Sequence, residues 1–168
     1  MSSAKKIYTR RQALLKAQKY CSYQERCQKE VRNDLYKLGV QRDDIEGIIS
    51  DLISSNFLNE ERFSRAFARG KFKNNDWGWI KIEMELKQRN ISRYCIQKAK
   101  TEIDGKAYQQ TILDLAKKKL KELKGETPYI QKGKIVRYIV GKGFESELVI
   151  ESVENLLGEW SVEFTLAP

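Results

Sequence analysis

One pattern recurs three times in register along this chain of 168 residues, and it limits the fold more than any other feature. An apolar residue is followed four positions later by another, four further on by Gly or Asn, and then at once by an apolar residue. The pattern stands at Val31-Leu35-Gly39-Val40, at Ile82-Leu86-Asn90-Ile91 and at Ile135-Ile139-Gly143-Phe144, spaced by 51 and then 53 residues. Ten positions after each second anchor an apolar residue returns, at Ile45, Ile96 and Val149, and seventeen after stand Leu52, Ile103 and Leu156. The i, i+4 pair shares one helical face, and Gly or Asn suits the left-handed position just past a helix end. A period near 50 residues has room for three short helices.

The chain has 2 Pro and 10 Gly, which favours helix over turn-rich β structure. The expected fold is therefore all-α: three tandem three-helix repeats in an elongated, curved array. Repeat 1 covers 1–55, repeat 2 covers 56–104, repeat 3 covers 105–157, and 158–168 form a C-terminal tail.

In repeat 1 the first helix is expected over 9–20, with Leu14, Ala17 and Cys21 inward. Ser22 and Glu25 have the spacing of a capping box for the second helix, which ends at Gly39. Asp43 or Asp44 caps the third, which carries Ile45, Ile48, Ile49 and Leu52. In repeat 2, Asn59 is a good N-cap, Glu60 and Glu61 suit the positive end of the helix dipole, and Phe63, Phe67 and Ala66 form the apolar stripe. Lys73-Asn74-Asn75-Asp76 breaks that helix. Trp77-Gly78-Trp79 opens the next, with Trp79, Ile82, Met84 and Leu86 inward and Asn90 as its stop; a third helix runs from Ser92 to Asp104. Repeat 3 starts with a helix through Ile112, Leu115, Ala116, Leu120 and Leu123, broken at Gly125. Thr127-Pro128 is an N-cap followed by proline at the first helical position. The second helix reaches Gly141, and the third covers 145–157. In the tail, Trp160, Val162 and Phe164 alternate, which predicts an extended segment. Three separate cores are expected: Val31, Leu35, Ile45 and Ile49; Phe63, Phe67, Ile82, Leu86 and Ile96; Leu115, Leu120, Ile135, Ile139 and Val149.

Several function classes fall away. No run approaches the ~20 apolar residues of a membrane span, and the basic N-terminus lacks a signal-peptide apolar segment. Cys21, Cys27 and Cys95 are an odd number without a Cys-x-x-Cys pair, and with no histidine a zinc site has no support. They read as free thiols in a reducing cytoplasm. The lack of histidine also removes Ser–His and Cys–His nucleophile pairs. Gly141-Lys142-Gly143 does not have the spacing of a phosphate loop. Carboxylate pairs such as Asp43/Asp44 and Glu83/Glu85 sit among charges on solvated helices. The reading is a protein that is not an enzyme and needs no cofactor.

The net charge of +9 is unevenly spread. Residues 1–40 carry ten basic and three acidic groups, 62–100 eleven and three, and 105–142 ten and three. Residues 41–61 carry one basic group against six acidic, and 143–168 none against six. Helices one and two of every repeat are thus basic, while the third is acidic in repeats 1 and 3. A helix-turn-helix reader puts its third helix in the major groove, so sequence-specific reading by all three repeats is disfavoured. The basic helices instead suit non-specific contact with DNA phosphates or an acidic protein surface. The candidate contacts are Arg62, Arg65, Arg69, Lys71, Lys73 and Lys81 in repeat 2 and Lys117, Lys118 and Lys121 in repeat 3. Arg65 and Arg69 lie one turn apart, as do Lys117 and Lys121. For Trp77 and Trp79, core packing is the favoured reading and base stacking the alternative.

Leu58, Asn59, Glu60, Arg62, Phe63, Gly78, Ile82, Glu85, Leu86, Asn90 and Ile91 together resemble the central signature of the RecX family, bacterial regulators of the RecA recombinase. Asn59-Glu60 stands where the family usually has two aspartates, and Asn90 where it has glycine; both replacements keep the capping and turn chemistry. In repeat 1 the family's Arg-Ser-x-x-Glu-Leu becomes Arg26-Cys27-x-x-Glu30-Val31, with buried packing the better reading of Cys27. The stretch 138–144 is similar to the family's third-repeat ending. The resemblance covers nearly the whole chain, strongest in the centre and weakest over 106–125. It implies a cytoplasmic, monomeric modulator that binds the RecA–DNA filament and inhibits recombination, ATP hydrolysis and co-protease activity, a role in DNA repair and the SOS response. The rival classes are a DNA-binding architectural or regulatory protein that acts without RecA, and a purely structural helical adaptor.

Overall fold

The computed structural model describes residues 8–165, the side chains of 159–165 excepted. Among the described residues there are nine helices and no strand: α1 (Arg10–Tyr23), α2 (Gln28–Lys37), α3 (Arg42–Ser54), α4 (Glu60–Asn75), α5 (Trp79–Gln88), α6 (Arg93–Lys100), α7 (Gly105–Glu122), α8 (Pro128–Gly141) and α9 (Ser146–Thr165). They fall in three tandem triplets, the all-α repeat that the spacing predicts.

The periodic Gly or Asn sets each triplet's chain reversal. Gly39, Asn90 and Gly143 have φ of 79°, 59° and 93°, the left-handed region that lets the chain leave a helix and turn back. The following N–H then bonds back over the helix end, Val40 to the Leu35 carbonyl at 3.1 Å and Ile91 to that of Leu86 at 3.2 Å. Helix starts obey side-chain chemistry. Asn59 Oδ1 accepts from the Arg62 N–H at 2.8 Å, Ser92 Oγ from Cys95 at 3.3 Å, and Thr127 precedes Pro128 at the head of α8.

Two expected caps are displaced. Ser22 lies inside α1, which runs on to Tyr23, because its hydroxyl donates to the Gln18 carbonyl at 2.8 Å instead of capping α2. The box closes five residues downstream, where the Cys27 N–H donates to Glu30 at 3.2 Å. At α3 the residue before the helix is Gln41, and Asp43 and Asp44 occupy the first turn. There they complement the dipole without capping.

Packing gathers the helices into two compact units, not three cores. The first is the described part of Met1–Phe67 with Leu86–Ala99; the second is Ala68–Glu85 with the described part of Lys100–Pro168. The middle triplet is shared out because its first helix has no single narrow stripe. On α4, Phe63, Ser64, Ala68 and Phe72 are all buried, and at 100° per residue they span half the helix circumference. In the first unit Ala13, Ala17, Val31, Leu35, Ile45, Ile48, Ile49 and Leu52 close a core. In the second, Ile82, Ile112, Ile135, Ile139, Phe144 and Val149 are sealed from solvent. The Tyr108 ring sits between Phe72 and Phe144, with centroids 5.7 and 4.9 Å away.

Four further expectations are corrected. Met84 is 48% exposed, since two residues beyond Ile82 is 200° around the helix, the opposite face. Phe67 is half-buried, and Ala68 and Phe72 take the inward places on α4. Helix α6 stops at Lys100, because Asp104 accepts from the Ala107 N–H at 2.8 Å and starts α7. The tail is not extended: α9 continues through Gly158 to Thr165. One glycine costs a helix only ~1 kcal/mol, and no proline intervenes; residues 166–168 lie outside the described chain.

Candidate nucleic-acid interface

In the second unit, one backbone corner fixes where several lysines stand. The Gly78 N–H donates to the Lys142 carbonyl at 2.9 Å and the Ile80 N–H to that of Gly143 at 3.0 Å. This seats the start of α5 on the turn after α8. No side chain fits between them. A Cβ on Gly78 would lie 2.2 Å from the Phe144 nitrogen, and one on Gly143 2.3 Å from Lys81 Cβ. The approach brings Lys81 and Lys142, distant in sequence, to one corner.

Aromatic rings hold the ammonium groups there. Lys71 Nζ lies 4.8 Å and Lys81 Nζ 4.4 Å from the centroid of Trp77. Lys142 Nζ donates to the Asn75 carbonyl at 3.4 Å and sits 5.5 Å from the Tyr138 centroid. Lys119 approaches the same ring at 5.3 Å, and Glu122 neutralises it at 2.7 Å. A cation over an aromatic face keeps its charge while losing side-chain freedom in advance. Such an array presents positive charge to a polyanion at a reduced ordering cost on binding. Lys73 stands exposed at the end of α4, with no ion pair among the described residues.

The other arginines and lysines singled out in the sequence have different surroundings. Arg62 belongs to the first unit, where its fork is taken up by protein. Nε donates to Glu25 at 2.5 Å, Nη1 to Asn56 Oδ1 at 3.0 Å and Nη2 to the Asn56 carbonyl at 3.1 Å. It fastens the left-handed Asn56 turn after α3. Arg65 donates to Glu61 at 2.9 Å, and in the second unit Arg69 pairs with Glu102 at 2.7 Å. On α7, Lys118 and Lys121 are exposed without an ion pair among the described residues, whereas Lys117 lines a groove shared with Glu151 on α9. The structure thus brings Lys71 and Lys81 together with Trp77 and Lys119 and adds Lys142 and Tyr138, which the sequence pattern did not single out as phosphate contacts. The one signal for Lys142 was the Gly141-Lys142-Gly143 stretch at the end of the third repeat pattern.

Trp79 is buried at the head of α5, and its N–H donates to the Tyr108 hydroxyl at 2.8 Å. That hydroxyl donates onward to Glu145 at 2.6 Å. Burial first, and then the bond to Glu145, push the Tyr108 phenol well above its ordinary value, so it remains a donor. Burial also raises the Cys21 thiol to about 11 and shifts Cys27 upward. Both thiols therefore stay protonated at neutral pH, the state of packing residues and not of nucleophiles. Among the described residues no group of three or more His, Cys, Asp or Glu could hold a metal ion, and no helix is long and apolar enough to cross a membrane.

Comparison with known proteins covers all three triplets. Residues 13–52, 59–99 and 107–151 match the descriptions RecX, first, second and third three-helix domain, in that order. The regulatory protein RecX of Prosthecochloris aestuarii is 29% identical over 147 residues, 88% of this chain and 95% of that protein. That of Streptococcus uberis is 31% identical over 148 residues, 88% of this chain but 56% of its own length. This chain thus spans nearly all of one relative and little more than half of the other. Among solved structures, RecX from Lactobacillus salivarius superposes with a TM-score of 0.78 at 24% identity, over 88% of this chain and 96% of that one. A second RecX crystal structure gives 0.75 at 20% identity, over 87% and 73%. At these identities the two structures speak to the fold alone.

Proposed function

This chain belongs to the RecX family of regulatory proteins, and on that premise we propose that it binds the RecA–DNA filament and inhibits the recombinase. It acts in the cytoplasm as a monomer, touching RecA and, non-specifically, the DNA phosphates. The observation that carries the DNA contact is the lysine cluster of the second unit, where Lys71 and Lys81 flank Trp77 and Lys142 stands at the same corner. A phosphate backbone rewards several cations fixed on one surface, because each contact releases a counterion. Several weak contacts on one chain add through effective concentration, so the protein blocks filament growth or entry of homologous DNA without catalytic chemistry. The acidic side chains of α3 and α9 are unsuited to phosphate and leave the basic helices as the DNA-facing elements.

The test uses filaments formed beforehand on single-stranded DNA by the recombinase of the same organism. Added at substoichiometric to equal amounts, the protein is expected to slow DNA-dependent ATP hydrolysis and shorten the filaments. Unchanged hydrolysis, strand exchange and filament length with folded protein would favour the rival reading, a DNA-binding protein that acts without RecA. Preforming the filaments matters, because mere sequestration of free DNA would otherwise imitate inhibition.

A further inference from the structure

Away from the Lys71–Lys81–Lys142 corner, the second unit has a groove between α7 and α9. Two cavities of about 360 and 330 Å³ share Leu148. Trp79, Ile103 and Tyr108 line the first, and Leu113 and Leu156 the second. Of the hydroxyls on this floor, that of Tyr108 already accepts from Trp79 and donates to Glu145, and that of Ser152 donates to the Leu148 carbonyl at 2.7 Å. The first cavity therefore offers mainly apolar surface, while Gln109 and Asn155 add amide groups beside the leucines of the second. Leu148 and Leu156 are eight residues apart on α9, so the floor extends about 12 Å at 1.5 Å per residue. That length matches two turns of a helix laid along it. Each cavity is near the lower bound of about 300 Å³ for ligand pockets, a size for one large apolar side chain.

The rim chooses the occupant. Glu147 lines the first cavity and Glu151 the second, one turn apart on α9, both exposed and neither in an ion pair among the described residues. Lys100, its Nζ 5.5 Å from the Trp79 centroid, marks the end at the first cavity, and Lys117 lines the second. Acid in the middle of a groove repels a phosphate backbone and attracts cations. We propose that this groove is the docking site of an amphipathic protein helix that inserts two large apolar side chains, with basic residues at its centre and acidic residues toward its ends. This is helix-in-groove recognition with apolar anchors for affinity and rim charges for choice. It is independent of the Lys71–Lys81–Lys142 corner, which lies on other residues.

The probe is a fluorescein-labelled 18-residue helical peptide of about that description: Leu at i and i+7, Lys between them and Glu near the ends. Its partner has the same leucines and every charge swapped. By anisotropy with the full chain, the first peptide is expected to bind at least tenfold tighter than the second. Amide shifts on binding should gather at Trp79, Ile103, Leu113 and Leu148. The double reversal Glu147→Lys with Glu151→Lys should invert the preference between the peptides. Equal affinity for both peptides, shifts centred elsewhere, or a preference unmoved by the reversal would overturn the proposal. So would displacement of the bound peptide by an oligothymidine, which would make the groove a nucleic-acid site. If the reversal fails to fold by circular dichroism, the unmodified chain's peptide preference and shift map decide alone.

Discussion

Gly78→Ala is the substitution whose effect the structure defines most sharply. The added methyl would stand 2.2 Å from the Phe144 nitrogen and 2.3 Å from the carbonyl carbon and oxygen of Gly143. All three are backbone atoms, so no side chain can swing aside. The start of α5 or the α8–α9 corner must move by about an ångström, an overpacking cost of ~1–3 kcal/mol. The move also strains the bonds from Gly78 and Ile80 to Lys142 and Gly143, each worth ~1 kcal/mol net. The expected loss is about 3 kcal/mol. The control is Gly70→Ala: a Cβ there meets nothing within 4 Å inside α4, so helix propensity alone should stabilise it by ~0.5–1 kcal/mol. Urea denaturation monitored by circular dichroism reads both. With a slope of about 2 kcal/mol per molar, the midpoint of the second unit's transition should fall by ~1.5 M for Gly78→Ala and rise by ~0.3–0.5 M for Gly70→Ala. A Gly78→Ala midpoint within ~0.2 M of the parent would refute the close backbone approach on which the lysine corner depends.

Leu86→Ala, at a position with no exposure, should cost ~2–5 kcal/mol, while Met84→Ala on the opposite face should stay within ~0.5 kcal/mol; equal losses in urea would contradict the assigned faces of α5. Arg62→Ala should destabilise the first unit by ~1–2 kcal/mol, a charged hydrogen-bond network discounted for its partial exposure, and leave DNA affinity unchanged. A weaker DNA affinity with intact stability would make Arg62 a contact residue instead. Alkaline pH should weaken the fold. Burial raises Cys21 from an ordinary value near 9 to about 11 and shifts Cys27 the same way, so between those values the folded chain keeps protons that the unfolded chain has released. The stability contribution is complete below about pH 9 and lost as pH rises toward about 11. Cys21→Ala should flatten that decline in urea midpoints taken from about pH 8 to about pH 10.5; an undiminished slope would refute it.

The repeat was legible as a recurrence along the sequence, and the left-handed stops at Gly39, Asn90 and Gly143 and the capping by Asn59 and Thr127 were legible because each rests on residues close together in the chain. Ser22 misled for a physical reason: its hydroxyl can serve an N-cap or the i−4 carbonyl, and spacing alone does not say which. Phe72 was missed because α4 buries a band wider than one stripe, with partners on α7. The basic helices were likewise evident from charge, but not which cations are spent. Arg62, Arg65 and Arg69 meet Glu25, Glu61 and Glu102, and two of those three acids lie more than thirty residues away. Lys142 reaches the Trp77 corner only through the backbone pairing of Gly78 with the α8 turn, a contact that no local pattern encodes.

A RecA-filament regulator that touches DNA through the Lys71–Lys81–Lys142 corner must show it in the salt dependence of its binding. The decisive comparison is between the parent chain and Lys71→Glu, Lys81→Glu, Lys142→Glu combined, each titrated against preformed filaments and against bare single-stranded DNA. The expected result is weaker binding to both, with urea stability maintained. The slope of log affinity against log salt should shrink by ~0.7 for each phosphate that the variant no longer neutralises, the single-strand value. Affinity and slope unchanged on both ligands, with the triple variant folded, would contradict a DNA contact at this corner.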